Sequence, residues 1–206
     1  MSSQPERRHR AARAFAPAFG LLAAGLLVWQ GSYAAFSATT QDNSNVWSSA
    51  TLSLTNNGGG AVYAGTTTAT FGGANIKPGA TGTTCLTVKS IGTSAGTLAL
   101  YRSALADSVP SLGAQIKLTI DQGVPASDVQ ANCVGFPAVF TNVATNAPLS
   151  TYPTTYATAT GPVAVATGTV LEAYRVTWTF VSLGTTALDN PLQGKTVTAG
   201  FTWEIQ

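Results

Sequence analysis

Histidine is nearly missing from this sequence: the single one is His9, and the single methionine is Met1. Charged residues make up only 9% of the chain, and there are two cysteines, Cys85 and Cys133. From residue 35 onward there is no histidine at all. That removes the usual general base of hydrolases and the imidazoles by which zinc peptidases hold their ion. H-E-x-x-H, G-x-S-x-G and P-loop patterns are absent too, as is any N-x-S/T glycosylation sequon. Asp121 and Asp128, seven residues apart around a Gly and Pro turn, are the one carboxylate spacing suited to calcium or to an acid pair, against the plainer reading of a solvated loop. No enzyme activity, catalytic residue, cofactor or metal is expected.

The charge that is present is unevenly placed. Arg7, Arg8, Arg10 and Arg13 precede a mostly apolar run over residues 14–28, the layout of a secretory signal peptide. The run is short of the ~20 residues a spanning helix needs; an uncleaved anchor is the alternative reading. Ser32 and Ala34 put small side chains at the two positions signal peptidase reads, so cleavage is expected between Ala34 and Ala35. The paired Arg7 and Arg8 lack the apolar follow-up of a twin-arginine signal. Division of the chain into a signal peptide helix (1–34) and one mature domain (35–206) follows. The mature part carries Lys77, Lys89, Arg102, Lys117, Arg175 and Lys195 against Asp42, Asp107, Asp121, Asp128, Glu172, Asp189 and Glu204, a net charge of −1. It has no basic surface for nucleic acid or for an anionic membrane. After export two cysteines are expected to pair, Cys85 with Cys133, because the compartment is oxidising and neither has a histidine or second cysteine beside it for metal binding or nucleophilic work.

What remains is strand sequence. Apolar and polar residues alternate with a period of two in short runs separated by Gly, Pro and Asn, most clearly in Thr84-Cys85-Leu86-Thr87-Val88-Lys89, in Gln115-Ile116-Lys117-Leu118-Thr119-Ile120 and in Tyr174-Arg175-Val176-Thr177-Trp178-Thr179-Phe180. Similar runs cover residues 51–54, 97–101 and 195–203. The pattern predicts an all-β, jelly-roll-like β-sandwich. In the run from Tyr174, residues Tyr174, Val176, Trp178 and Phe180 share one face and Arg175, Thr177 and Thr179 the other. Lys77-Pro78-Gly79 reads as a type II turn, with proline fixing φ at the second position and glycine accepting a positive φ at the third. Residues 103–113 read as a short helical turn or a wide loop. Residues 144–168, rich in Thr, Ala, Tyr and Pro, read as an excursion from the sandwich, either a variable surface loop or, through Tyr152 and Tyr156, a ligand-binding one.

Three segments in order, Tyr33-Ala34-Ala35-Phe36-Ser37, Asn75-Ile76-Lys77-Pro78-Gly79 and the stretch from Gly194-Lys195-Thr196 to Phe201-Thr202-Trp203-Glu204, resemble the TasA/camelysin family of secreted bacterial proteins. The likeness runs over nearly the whole chain. It implies a jelly-roll sandwich, cleavage between Ala34 and Ala35 by a SipW-type signal peptidase, and assembly of extracellular matrix or biofilm fibres by donation of an N-terminal strand. It also implies the metallopeptidase activity described for camelysins, which the missing histidines oppose. The cysteine pair, the Thr-rich residues 144–168 and the low charge depart from the family pattern.

The released N-terminus, Ala35, Phe36, Ser37, Ala38, Thr39 and Thr40, contains no Gly, Pro or charge, so it suits pairing with an exposed sheet edge. That edge belongs to another subunit or to its own sandwich. The sequence therefore predicts a secreted, disulfide-bonded structural protein of the cell surface or extracellular matrix. Its expected partners are itself or other matrix proteins, plus signal peptidase during export, with no membrane association after cleavage. A secreted surface-binding module is the alternative.

Overall fold

Alternation of branched or aromatic residues with threonine favours extended backbone, and strands dominate the chain. The computed structural model describes Ala38–Thr39, residues 51–67 and residues 71–206. The strands are β1 (Ala38–Thr39), β2 (Leu52–Asn56), β3 (Thr81–Gly92), β4 (Gly96–Asp107), β5 (Ile116–Gly123), β6 (Thr141–Pro148), β7 (Thr160–Val165), β8 (Gly168–Phe180) and β9 (Val197–Ile205). A one-turn helix, α1 (Thr186–Asp189), precedes β9. The leader, the expected cleavage point at Ala34 and Ala35, and Phe36, Ser37 and Thr40 lie outside the described residues.

Two antiparallel sheets face each other, one ordered β1-β9-β4-β7 and the other β2-β3-β8-β5-β6. The chain changes sheet between β1 and β2, β3 and β4, β4 and β5, β6 and β7, β7 and β8, and β8 and β9. This is the jelly-roll arrangement, with β2 added at one edge. The long ladders are β3 with β8, paired from Thr81 opposite Thr179 to Gly92 opposite Gly168, and β4 with β9.

Tyr174, Val176, Trp178 and Phe180 all face the core, at 0–7% exposure, as their alternation predicts. They meet Leu86 and Val88 from β3, Leu98 and Leu100 from β4, and Trp203 and Ile205 from β9. Tyr174 and Trp203 pack edge to face across the layers with ring centroids 5.5 Å apart. Burial of side chains of this size contributes roughly 1.5–3 kcal/mol apiece.

Two readings of the irregular stretches change. Residues 103–107 continue β4 past a register shift between Arg102 and Ala104, held by pairing of Ala104 to Asp107 with Gly200 to Val197. Tertiary pairing overrides a local Ser-Ala-Leu-Ala sequence that lacks β-branched residues. Residues 144–168 are not an excursion. Their ends belong to β6 and β7, the edge strands of the two sheets, and the part between them crosses the sandwich through two 3-10 turns, Leu149–Thr151 and Tyr156–Thr158. Tyr152 is buried in the core at 1% exposure, and Tyr156 donates its hydroxyl to the carbonyl of Thr97 at 2.7 Å. Both tyrosines anchor this crossing to the sheets.

Candidate binding groove

Strand β9 is paired unequally on its two sides. On one side β4 accompanies it along its length. On the other, only Ala38 and Thr39 pair with it, opposite Ile205 and Glu204. From Val197 to Thr202 no strand lies against that edge among the described residues. Beneath it the two sheets separate into a groove of about 770 Å³, within the range of roughly 300–1,000 Å³ typical of ligand sites.

The walls of the groove come from three distant parts of the sequence. Val197, Ala199 and Phe201 of β9 form one side, and Trp178 and Phe180 of β8 with Ile116 and Leu118 of β5 form the other. Leu192, in the turn after α1, closes one end. Trp178 takes its position because Gly82 lies directly opposite it on β3; a Cβ at that glycine would sit 2.7 Å from the indole nitrogen. The ring therefore covers bare backbone of the neighbouring strand and turns its edge to the groove.

Loop residues 71–78 form the rim. The rim ends in the predicted type II turn: Ala80 donates its N–H to the carbonyl of Lys77 at 2.9 Å, and Gly79 has φ +88°. Lys77 and Lys195 both line the groove without an ion pair or side-chain hydrogen bond among the described residues, and Asp189 accepts from the Ser182 hydroxyl at 2.6 Å and the Leu183 N–H at 2.8 Å. The rim thus offers two free cations, while its carboxylate is already engaged.

The other predicted site residues lie elsewhere. Cys85 and Cys133 form a disulfide, with Cα atoms 4.9 Å apart, on the outer face of the five-stranded sheet. Around it the β5–β6 loop folds down, Val129 and Phe136 packing with Cys85 and Ala173 in a small second core. Asn57, which sequence reading passed over, holds this region together. Its Oδ1 accepts the N–H groups of Thr87 at 2.8 Å and Gly59 at 3.0 Å, and its Nδ2 donates to the carbonyl of Val129 at 3.1 Å. The Asn57-Gly58-Gly59 sequence was the available signal, since asparagine before glycine commonly bonds to backbone two residues on.

Asp121 and Asp128 have separate partners. Asp121 pairs with Arg175 at 2.8 Å, whose guanidinium stacks 4.6 Å from the rings of both Phe136 and Phe140. Asp128 accepts the hydroxyl of Tyr63 at 2.5 Å, and burial together with that carboxylate raises the tyrosine's pKa. Burial, with the nearby Glu204 carboxylate, likewise holds Tyr101 up to about 12. Burial also raises Glu172, opposed by a hydrogen bond from Gln122. None of these groups lines the groove, and among the described residues no group of three or more His, Cys, Asp or Glu side chains is placed to hold a metal ion. The groove presents apolar side chains beside a strand edge with open main-chain groups among the described residues. No protein-family model matches the chain, and no curated protein matches it.

Proposed function

We propose that the protein is a secreted structural component of the cell surface or extracellular matrix, and that copies associate by adding a strand along the outer edge of β9. The observation that carries this reading is the stretch from Val197 to Thr202, against whose outer edge no strand lies among the described residues. An open strand edge offers a row of main-chain donors and acceptors, and a further strand is their natural complement. The segment of residues 35–40 is the donor by composition. Among the described residues Ala38 and Thr39 engage the last two residues of β9, and the rest of the edge is proposed to take a strand from a second copy. Phe36 supplies the one large apolar side chain of the donor. The resemblance to the TasA/camelysin family supports the same assignment, since strand donation is what that likeness implies.

Electron microscopy and light scattering of the secreted protein test the proposal. Filaments or concentration-dependent oligomers are expected, and deletion of residues 35–40 removes them. A protein that stays monomeric at millimolar concentration overturns it.

A further inference from the structure

Independently of self-association, we infer that the groove is a binding site for a free long-chain carboxylate: one apolar chain with one anionic head. Three features point to this ligand class. The interior surfaces are aliphatic or aromatic, from Ile116, Leu118, Leu149, Trp178, Phe180 and Leu192, all buried. Apart from the indole N–H of Trp178 these side chains offer no hydrogen bond, and the polar side chains of the lining, Asn75, Gln193, Thr196 and Thr198, come from the rim loop and residues 193–198, so a sugar or nucleotide lying along the interior would lose most of its water without compensation. The only charges without partners on the lining are the ammonium groups of Lys77, exposed, and Lys195, half-buried. Asp189 is occupied by two hydrogen bonds from its own loop, which lessens its competition for a cation there. An apolar cleft with two unpaired cations at its mouth is complementary to an amphiphile whose head is negative and whose chain is not.

The lysines also flank the groove from different elements. Lys77 stands at the first position of the type II turn before β3, and Lys195 just before β9. A carboxylate at the mouth meets a positive charge from either side, while the chain below it lies against Trp178.

Binding is measured on the monomeric fraction of the full chain with three probes of equal chain length, below their micelle concentrations: dodecanoate, dodecanol and dodecyltrimethylammonium. Native mass spectrometry gives stoichiometry, and tryptophan fluorescence follows the titration. One dodecanoate per chain is expected, bound on the order of tenfold more tightly than dodecanol, with the cationic probe weakest. The double variant K77E/K195E, altered only at the rim, reverses the order of the two charged probes. Ala199→Phe, which fills the groove, abolishes binding of all three. The absence of saturable one-to-one binding, equal affinity for the three heads, or an unchanged preference in K77E/K195E overturns the inference. So does flotation of the protein with anionic vesicles in place of one-to-one binding.

Discussion

The outer face of the five-stranded sheet and the β9 flank of the four-stranded sheet are finished in opposite ways. On the first, a loop folds back over the strands and leaves little unsatisfied. The disulfide, the Asn57 network and Arg175, stacked on two phenylalanines and paired with Asp121, adjoin one another there, Cys85 lying opposite Arg175 on the neighbouring strand. On the second, a strand edge and an apolar groove are bordered by loop 71–78, whose Phe71 packs 5.1 Å from the Phe201 ring, with no comparable polar network among the described residues. Main-chain groups and apolar side chains that a fold does not satisfy internally are available for recognition. The covered face accordingly contributes stability, and the open flank is the surface proposed for binding.

The largest effect that tests this contrast is expected from removing the bridge. It spans 48 residues of sequence, and the chain-entropy model assigns about 4 kcal/mol to a loop of that size. The double variant C85A/C133A is expected to lose stability of that order in urea denaturation, while still binding dodecanoate under conditions where it is folded. A loss below ~1 kcal/mol would mean that the loop is held by its polar contacts alone. Asn57→Ala comes next. It strands the N–H groups of Thr87 and Gly59 and the carbonyl of Val129, and a loss of roughly 1–3 kcal/mol is expected. A neutral result would remove Asn57 from the brace.

Much of the covered face and of the strand core was legible in the sequence. Period-two alternation places Tyr174, Val176, Trp178 and Phe180 inside because adjacent residues on a strand must point to opposite faces. Lys77-Pro78-Gly79 specifies its turn through two residues with restricted or unusual φ. The cysteine pair follows from there being no other partner for either thiol. The groove was not legible, because residues near 76, 116, 178 and 199 become neighbours only through the order of strands, which no local pattern encodes. Residues 144–168 were misread for a related reason. Their composition resembles a loop, and only pairing of β6 with β5 and of β7 with β4 makes their ends strands.

A pH titration probes the interior between the two sheets. Glu172 on β8 is 3% exposed, and burial raises its carboxyl pKa above the ordinary range near 4.3. Between the unfolded and folded pKa values the folded chain binds more protons, so its stability falls as pH rises through that interval. The cost of burying the ionised form then persists to neutral pH. Glu172→Gln retains hydrogen-bonding capacity toward Gln122 without the charge. Its thermal midpoint is expected to exceed that of the wild type at pH 7, and the two midpoints should converge below pH ~4. A constant difference across that range would show that the carboxyl does not titrate with folding.

The smallest expected effect on stability carries the most information about the open flank. Ala199 is half-buried on β9 and lines the groove between Val197 and Phe201. A phenylalanine there can extend into the groove, unlike overpacking in a filled core, which costs about 1–3 kcal/mol. Ala199→Phe is expected to change unfolding free energy by no more than ~0.5 kcal/mol, the range of substitutions away from packed sites, while abolishing dodecanoate binding. A loss of several kcal/mol would mean that part of the chain itself normally occupies this space, and the flank would then be a closed surface of the same kind as its opposite. Small change in stability with complete loss of binding is the combination that separates a recognition surface from a core.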